Sequence, residues 1–171
     1  MLLNNHILLI DDDDRHRHDL GVILGFLGEE SVITTSAAWQ SAVQAADLQA
    51  ESFKCVLLGD CSQGAGLQAL LTELDRWDAN LPVILVDPEQ ASNWPEHLRQ
   101  RLLAVLEPPL SYNQLLDSLH RAQVYREIFD ERRNPQRQRE PNLFRSLVGT
   151  SRPIQSVRQM MQQVADTEAT V

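Results

Sequence analysis

Residues 6–14 read His-Ile-Leu-Leu-Ile-Asp-Asp-Asp-Asp, an apolar run that stops against four consecutive acids. Apolar residues at successive rather than alternate positions predict a strand buried on both faces, with its carboxyl end emerging at a polar edge. Such a strand belongs to a parallel sheet covered by helices, and the sequence beyond it fits that demand. Leu20, Ile23, Leu24 and Leu27 recur at helical spacing, with an Asp available to cap the start and Gly28 to end the helix. Ser31 to Thr35 is short and β-branched, Ala37 to Leu48 has helical spacing through Trp39, Val43 and Ala46, and Lys54 to Gly59 is a second apolar run, ending at Asp60. The alternation continues with a helix from Gly64 to Trp77 carrying Leu67, Leu70, Leu71 and Leu74 inward, a strand from Pro82 to Val86, a weak helix from Trp94 to Arg101 and a strand from Leu103 to Leu106. From Ser111 a long amphipathic helix carries Leu115, Leu116, Leu119, Ala122, Tyr125 and Phe129, and Pro135 ends it. Five strands alternating with helices predict an α/β fold, a five-stranded parallel sheet with helices on both faces and a helical C-terminal extension.

Bulk properties narrow the function. The 171 residues are 43% hydrophobic and 23% charged, which is ordinary for a folded protein and enough for one full core. A formal net charge of -9 would repel a phosphate backbone, so the chain does not read as a nucleic-acid binder. Cys55 and Cys61 flank the end of one apolar run and read as buried thiols of a reducing compartment. No stretch approaches the ~18 apolar residues of a membrane span, and the first ten residues lack the features of a secretory signal. A cytoplasmic protein with no membrane contact is expected.

Open parallel sheets bind ligands beyond the carboxyl ends of their strands, and three such ends here carry acids: Asp11-Asp12, Asp60 and Asp87. Asp13, Asp14 and Asp87 are expected to cap helices or turns, whereas Asp11, Asp12 and Asp60 stand open between capping and a site. Hard cations favour carboxylate oxygens, so magnesium or calcium held by Asp11, Asp12 and Asp60 is a candidate metal site. His16 and His18 are two residues apart and point away from each other on a helix, and all five histidines read as incidental.

An acid pair after the first strand, an acid after the third and a proline after the fifth resemble the response-regulator receiver domain, over about Ile7 to Phe129. The resemblance implies a flavodoxin-like sheet of order 2-1-3-4-5, a magnesium-binding pair at Asp11 and Asp12, a phosphoacceptor at Asp60 and, at Pro109, the proline of the Lys-Pro switch. The departures point the other way. Where the family has a lysine after strand five, this chain reads Glu107-Pro108-Pro109, and its only lysine is Lys54, at the far end of strand three. Where the family ends strand four in Ser or Thr, this chain has Asp87. The loop Cys61-Ser62-Gln63-Gly64-Ala65-Gly66 is also short and lacks the family's Met-Pro. Two like charges ~5 Å apart at an effective dielectric near 20 repel by about 3 kcal/mol, so an aspartyl phosphate in this pocket is disfavoured. Asp11, Asp12, Asp60, Asp87 and Pro109 therefore read as a degenerate phosphoacceptor pocket. The alternative is a phosphorylatable receiver using Asp60 and magnesium. A flavin carrier on the same fold is disfavoured by the four acids after strand one, which would repel a phosphate.

Beyond an arginine-rich linker, residues 132–142, the tail begins Pro-Asn-Leu-Phe-Arg-Ser-Leu-Val-Gly-Thr-Ser-Arg. Ile154, Val157, Met161 and Val164 share one helical face, with Ser151 as cap and Pro153 in the first turn. Gly149-Thr150-Ser151, Ile154, Val157, Met160 and Val164-Ala165-Asp166-Thr167 resemble the entry to the AAA+ ATPase domain of sigma-54-dependent activators. No Walker A motif is present in these residues, so no ATPase activity is assigned to them. Together the degenerate receiver and the tail resemble the FleQ/FlrA family of flagellar master regulators. The resemblance divides the chain into a receiver-like regulatory domain at 1–131, the linker at 132–142 and the start of the AAA+ domain at 143–171. It implies, for the full-length protein, ATP, DNA, sigma-54 RNA polymerase, an antiactivator ATPase as partner and inhibition by cyclic di-GMP. Leu143, Phe144, Arg145 and Ser146 correspond to an element that gives an arginine to that dinucleotide, a role a guanidinium suits by forking onto a guanine edge or a phosphate. Such a ligand needs several convergent groups, so binding by these residues alone is expected to be weak. The continuing apolar face of the last helix predicts a homodimer or higher oligomer through the receiver-like domain. The chain itself is expected not to be an enzyme.

Overall fold

The structure, a computed structural model, describes residues 6–87 and 94–133. Five strands, β1 (His6–Ile10), β2 (Glu30–Thr34), β3 (Phe53–Leu58), β4 (Val83–Val86) and β5 (Leu102–Leu106), alternate with helices α1 (Asp14–Phe26), α2 (Trp39–Ala45), α3 (Leu67–Trp77), α4 (Glu96–Arg99) and α5 (Tyr112–Arg133). The strands form one parallel sheet of order β2-β1-β3-β4-β5. This is the expected fold, and it follows from the apolar runs. β1, β3 and β4 are the inner strands, and Ile7 to Ile10, Phe53 to Leu58 and Val83 to Val86 are buried along their lengths.

The period of two along each strand sorts these residues into two cores. On one face Leu8, Ile10, Val56, Leu58, Val83 and Leu85 pack with Trp39 and Val43 of α2 and with Leu67, Leu70, Leu71 and Leu74 of α3. On the other, Ile7, Leu9, Cys55, Leu57, Ile84 and Val86 pack with Leu20 and Leu24 of α1 and Leu115, Leu119 and Ala122 of α5. Truncating one of these leucines removes both its transfer energy and its contacts, a cost of about 2–5 kcal/mol.

Local chemistry sets the ends. The Asp13 side chain accepts the His16 amide at 2.7 Å and caps α1, and Gly28 takes φ 77 just past its end. α2 is shorter than its apolar spacing predicts, because Thr35 to Ala38 closes a turn first, with the Ala38 amide on the Thr35 carbonyl. α4 is a single turn begun by Pro95. Two buried ion pairs brace the amino-terminal edge of the sheet: Lys54 with Glu29, and Arg126 of α5 with Asp78, N to O 2.7 Å. The Arg126 guanidinium also donates to the Ala50 carbonyl at 3.0 Å, tying α5 to the segment before β3. The linker at 132–142 lies almost wholly outside the described residues, and the tail at 143–171 entirely so.

Candidate functional site

The carboxyl edge of the sheet brings together the loops after β1, β2 and β3. Asp11 and Asp12 continue the β1 ladder for one residue each, the Asp11 amide donating to the Thr34 carbonyl at 3.1 Å and the Asp12 amide to the Asp60 carbonyl at 2.7 Å. Both side chains are therefore drawn into the protein, at 0% and 3% exposure.

Asp12 serves as a clasp. Its carboxylate accepts the Ser36 amide and the Ser36 hydroxyl, each at 2.7 Å, and the Gln63 amide at 2.9 Å, while the Gln63 side chain donates back to the Asp12 carbonyl at 3.2 Å. One carboxylate thus ties β1 to the loops after β2 and β3. Burial works against its charge, but the Ser36 hydroxyl, the Ser36 and Gln63 amides and the nearby Arg17 outweigh it and hold Asp12 below the ordinary carboxylate range.

Asp11 is engaged on the other side. Its Oδ1 accepts the Asp13 amide at 2.9 Å, and its Oδ2 lies 2.5 Å from His16 Nδ1. Arg17 donates to the Asp11 carbonyl at 2.7 Å and pairs with Asp14. Burial is the largest influence on the Asp11 carboxyl and raises it, against the lowering effects of the Asp13 amide and His16. The side chains that meet Asp11 from the first turn of α1 are thus His16 at the carboxylate and Arg17 at the backbone carbonyl. The reading of all histidines as incidental is corrected twice: His16 meets Asp11, and His6 pairs with Glu30 at 3.2 Å.

The residue that faces Asp11 is Gly59, the first beyond the third strand. A Cβ built on Gly59 would lie 1.8 Å from Asp11 Oδ2 and 2.4 Å from its Cγ, so the Asp11 carboxylate occupies the space a side chain at position 59 would need. Asp60 lies one residue further on, half-buried, and its Oδ2 accepts the Ser62 hydroxyl at 2.7 Å. Asp87 ends β4 at φ 88, with its amide on the Leu106 carbonyl at 3.0 Å. After β5, Glu107, Pro108 and Pro109 are exposed, and no lysine or arginine follows the strand before Arg121. Lys54 lies at the other edge of the sheet in its pair with Glu29.

These positions do not fit a divalent ion. Among the described residues no group of three or more His, Cys, Asp or Glu side chains is arranged to hold a metal, and the carboxylates of Asp11, Asp12 and Asp60 each have a protein partner. The candidate set Asp11, Asp12 and Asp60 is brought to one edge of the sheet without converging as ligands. Cys61 lies beside the acids, but burial and then the charges of Asp12, Asp11 and Asp60 push its thiol up to about 12, so it is no nucleophile at neutral pH. Leu143, Phe144, Arg145 and Ser146 lie outside the described residues.

Sequence reasoning missed Ser36, Gln63, His16 and Gly59. Ser36 and Gln63 each follow a strand that neighbours β1, and a polar residue in that position is the one signal that pointed to them.

The model of the flagellar regulatory protein FleQ matches residues 6–124. Among solved structures the chain is similar to NtrX from Brucella abortus, at 25% identity and TM-score 0.61, covering 98% of this chain and 35% of that one. It is similar to a response regulator receiver domain protein from Clostridium thermocellum, at 16% identity and TM-score 0.59, over 72% of this chain and 98% of that one. An adenylate cyclase from Rhodopirellula baltica shares the fold at 14% identity and TM-score 0.64, over 80% of this chain and 99% of that one. The chain thus spans about a third of the length of NtrX. No helix among the described residues is long and apolar enough to cross a membrane. The FleQ match covers more than half of the chain and coincides with the sheet and its helices, so the chain belongs to the FleQ family of flagellar regulatory proteins, with a receiver-like regulatory domain.

Proposed function

We propose that this domain is the regulatory and dimerisation module of a sigma-54-dependent transcription activator of flagellar genes, and that it works without phosphorylation. The observation that carries the reading is the Asp11 carboxylate lying in the side-chain space of Gly59. A phosphorylated acid needs an approach for the donor, a metal and a balancing cation, and here the two carboxylates are already engaged by His16, the Ser36 hydroxyl and the amides of Asp13, Ser36 and Gln63. What remains is a rigid junction in which Asp12 fixes three loops, leaving the domain to act through packing. The full-length protein then hydrolyses ATP, binds DNA and sigma-54 polymerase, meets an antiactivator ATPase, and responds to cyclic di-GMP through a site that Arg145 joins. Incubation with acetyl phosphate and magnesium, followed by intact mass, tests the first part: no phosphoryl adduct is expected. An adduct abolished by Asp60→Asn would establish a working receiver instead.

The oligomer follows from α5. Its buried stripe of Leu115, Leu119 and Ala122 covers the sheet, while Val124, Tyr125 and Ile128 on the opposite side are 38%, 46% and 47% exposed. Val124, Tyr125 and Ile128 form the face proposed for the homodimer.

A further inference from the structure

At the amino-terminal edge of the sheet, away from the acid pair, a cleft of about 490 Å³ is lined by residues that include Ala50, Glu51, Trp77, Asp78, Ala79 and Phe129. Phe129 follows Leu115, Leu119, Ala122 and Arg126 on the core-facing stripe of α5, so the apolar stripe outruns the sheet it covers and ends over this opening. The buried Arg126 beneath it keeps Nε and Nη1 without a protein partner among the described residues. Arg126 is itself enclosed at 1% exposure, so the opening begins at Phe129 and Trp77 above it.

We propose that the cleft is the docking site for the chain's own segment Leu143-Phe144-Arg145. Three features select this occupant. Leu143 and Phe144 are the first large apolar residues after Phe129, and no Val, Ile, Leu, Met or aromatic residue stands between. They are within reach: nine residues separate the end of α5 from Leu143, an extended span of up to about 30 Å, and Phe129 lies only one turn, about 6 Å, before Arg133. The cleft itself carries Arg76 as well as Glu51 and Asp78, so charge complementarity lies between the domain and the tail as wholes. Residues 1–131 hold 21 acidic and 8 basic side chains, whereas residues 132–171 hold 7 basic and 3 acidic ones, so a segment of net charge +4 is tethered to a domain of net charge -13. Docking places Leu143 and Phe144 against the Trp77 and Phe129 rings and lets Arg145 meet the exposed Glu51 carboxylate. The tether sets an effective concentration in the millimolar range, so contacts of modest affinity suffice.

The test uses the full chain with Ala79→Cys at the exposed rim of the cleft and Ser146→Cys next to the segment in sequence. The native Cys55 and Cys61 are buried and will not compete. Mild oxidation is expected to give a crosslink within one chain. Adding Leu143→Ala and Phe144→Ala is expected to slow its formation at least several-fold while leaving the denaturation midpoint unchanged. No crosslink, a crosslink only between two chains, or a rate indifferent to the alanine pair each overturns the proposal.

Discussion

Placing a methyl group at position 59 tests the packing of the acid pocket at its narrowest point. In Gly59→Ala the new Cβ falls 1.8 Å from Asp11 Oδ2, so the carboxylate must leave its position. Overpacking of this kind costs about 1–3 kcal/mol, and displacement also breaks the bonds of Asp11 to the Asp13 amide and His16, worth about 1–3 kcal/mol together. A destabilisation of about 2–6 kcal/mol is expected. Asp11→Ala removes the obstructing oxygen and carbon and leaves the Cβ at position 11, at 3.1 Å, so Gly59→Ala should cost little more in that background. The two changes must therefore couple by about 1.5 kcal/mol or more. Urea denaturation of the wild type, both single variants and the double variant, followed by tryptophan fluorescence, measures the cycle. Costs that add to within about 0.5 kcal/mol would refute the claim that the Asp11 carboxylate fills that space.

Further expectations follow from the same geometry. Asp12, held below the ordinary carboxylate range, contributes stability above its unfolded value of 3.8 and loses it as pH falls from there through its folded value; Asp12→Asn should flatten that acid limb in denaturation curves taken at successive pH values. Asp11 has the opposite sign: its raised carboxyl makes ionisation costly, so its contribution weakens as pH rises from 3.8 through its folded value, and Asp11→Asn should remove that opposing slope. Asp78→Ala leaves the 1% exposed Arg126 without its ion partner and should cost about 3–5 kcal/mol, read as a lower urea midpoint. Tyr125→Asp with Ile128→Asp should shift sedimentation at high micromolar concentration from dimer to monomer with little change in midpoint; a wild type that is monomeric at that concentration would sink the α5 interface.

The fold was legible because burial on both faces leaves an unmistakable trace. Ile7 to Ile10 and Phe53 to Leu58 are apolar at nearly every position, and four acids mark where the first strand leaves the sheet. The acid pair was legible for the same reason. What surrounds it was not. Ser36 and Gln63 reach Asp12 across 24 and 51 residues of sequence, a separation that only the order of the strands closes. Gly59 carries no side chain to signal its role, and a shift of one residue at a strand end decides whether position 59 or 60 faces Asp11. His16 was not legible because its partner Asp11 lies five residues earlier, before α1 begins, outside the i, i+4 spacing of a single helical face.

The central claim is that the receiver-like pocket is closed by its own side chains. Amide NMR spectra of the domain, titrated with magnesium and beryllofluoride as a phosphoryl mimic, test it most directly. The amides of residues 59–63 are predicted to stay in place throughout the titration. Saturable, magnesium-dependent shifts of those amides, lost on Asp60→Asn, would contradict the account.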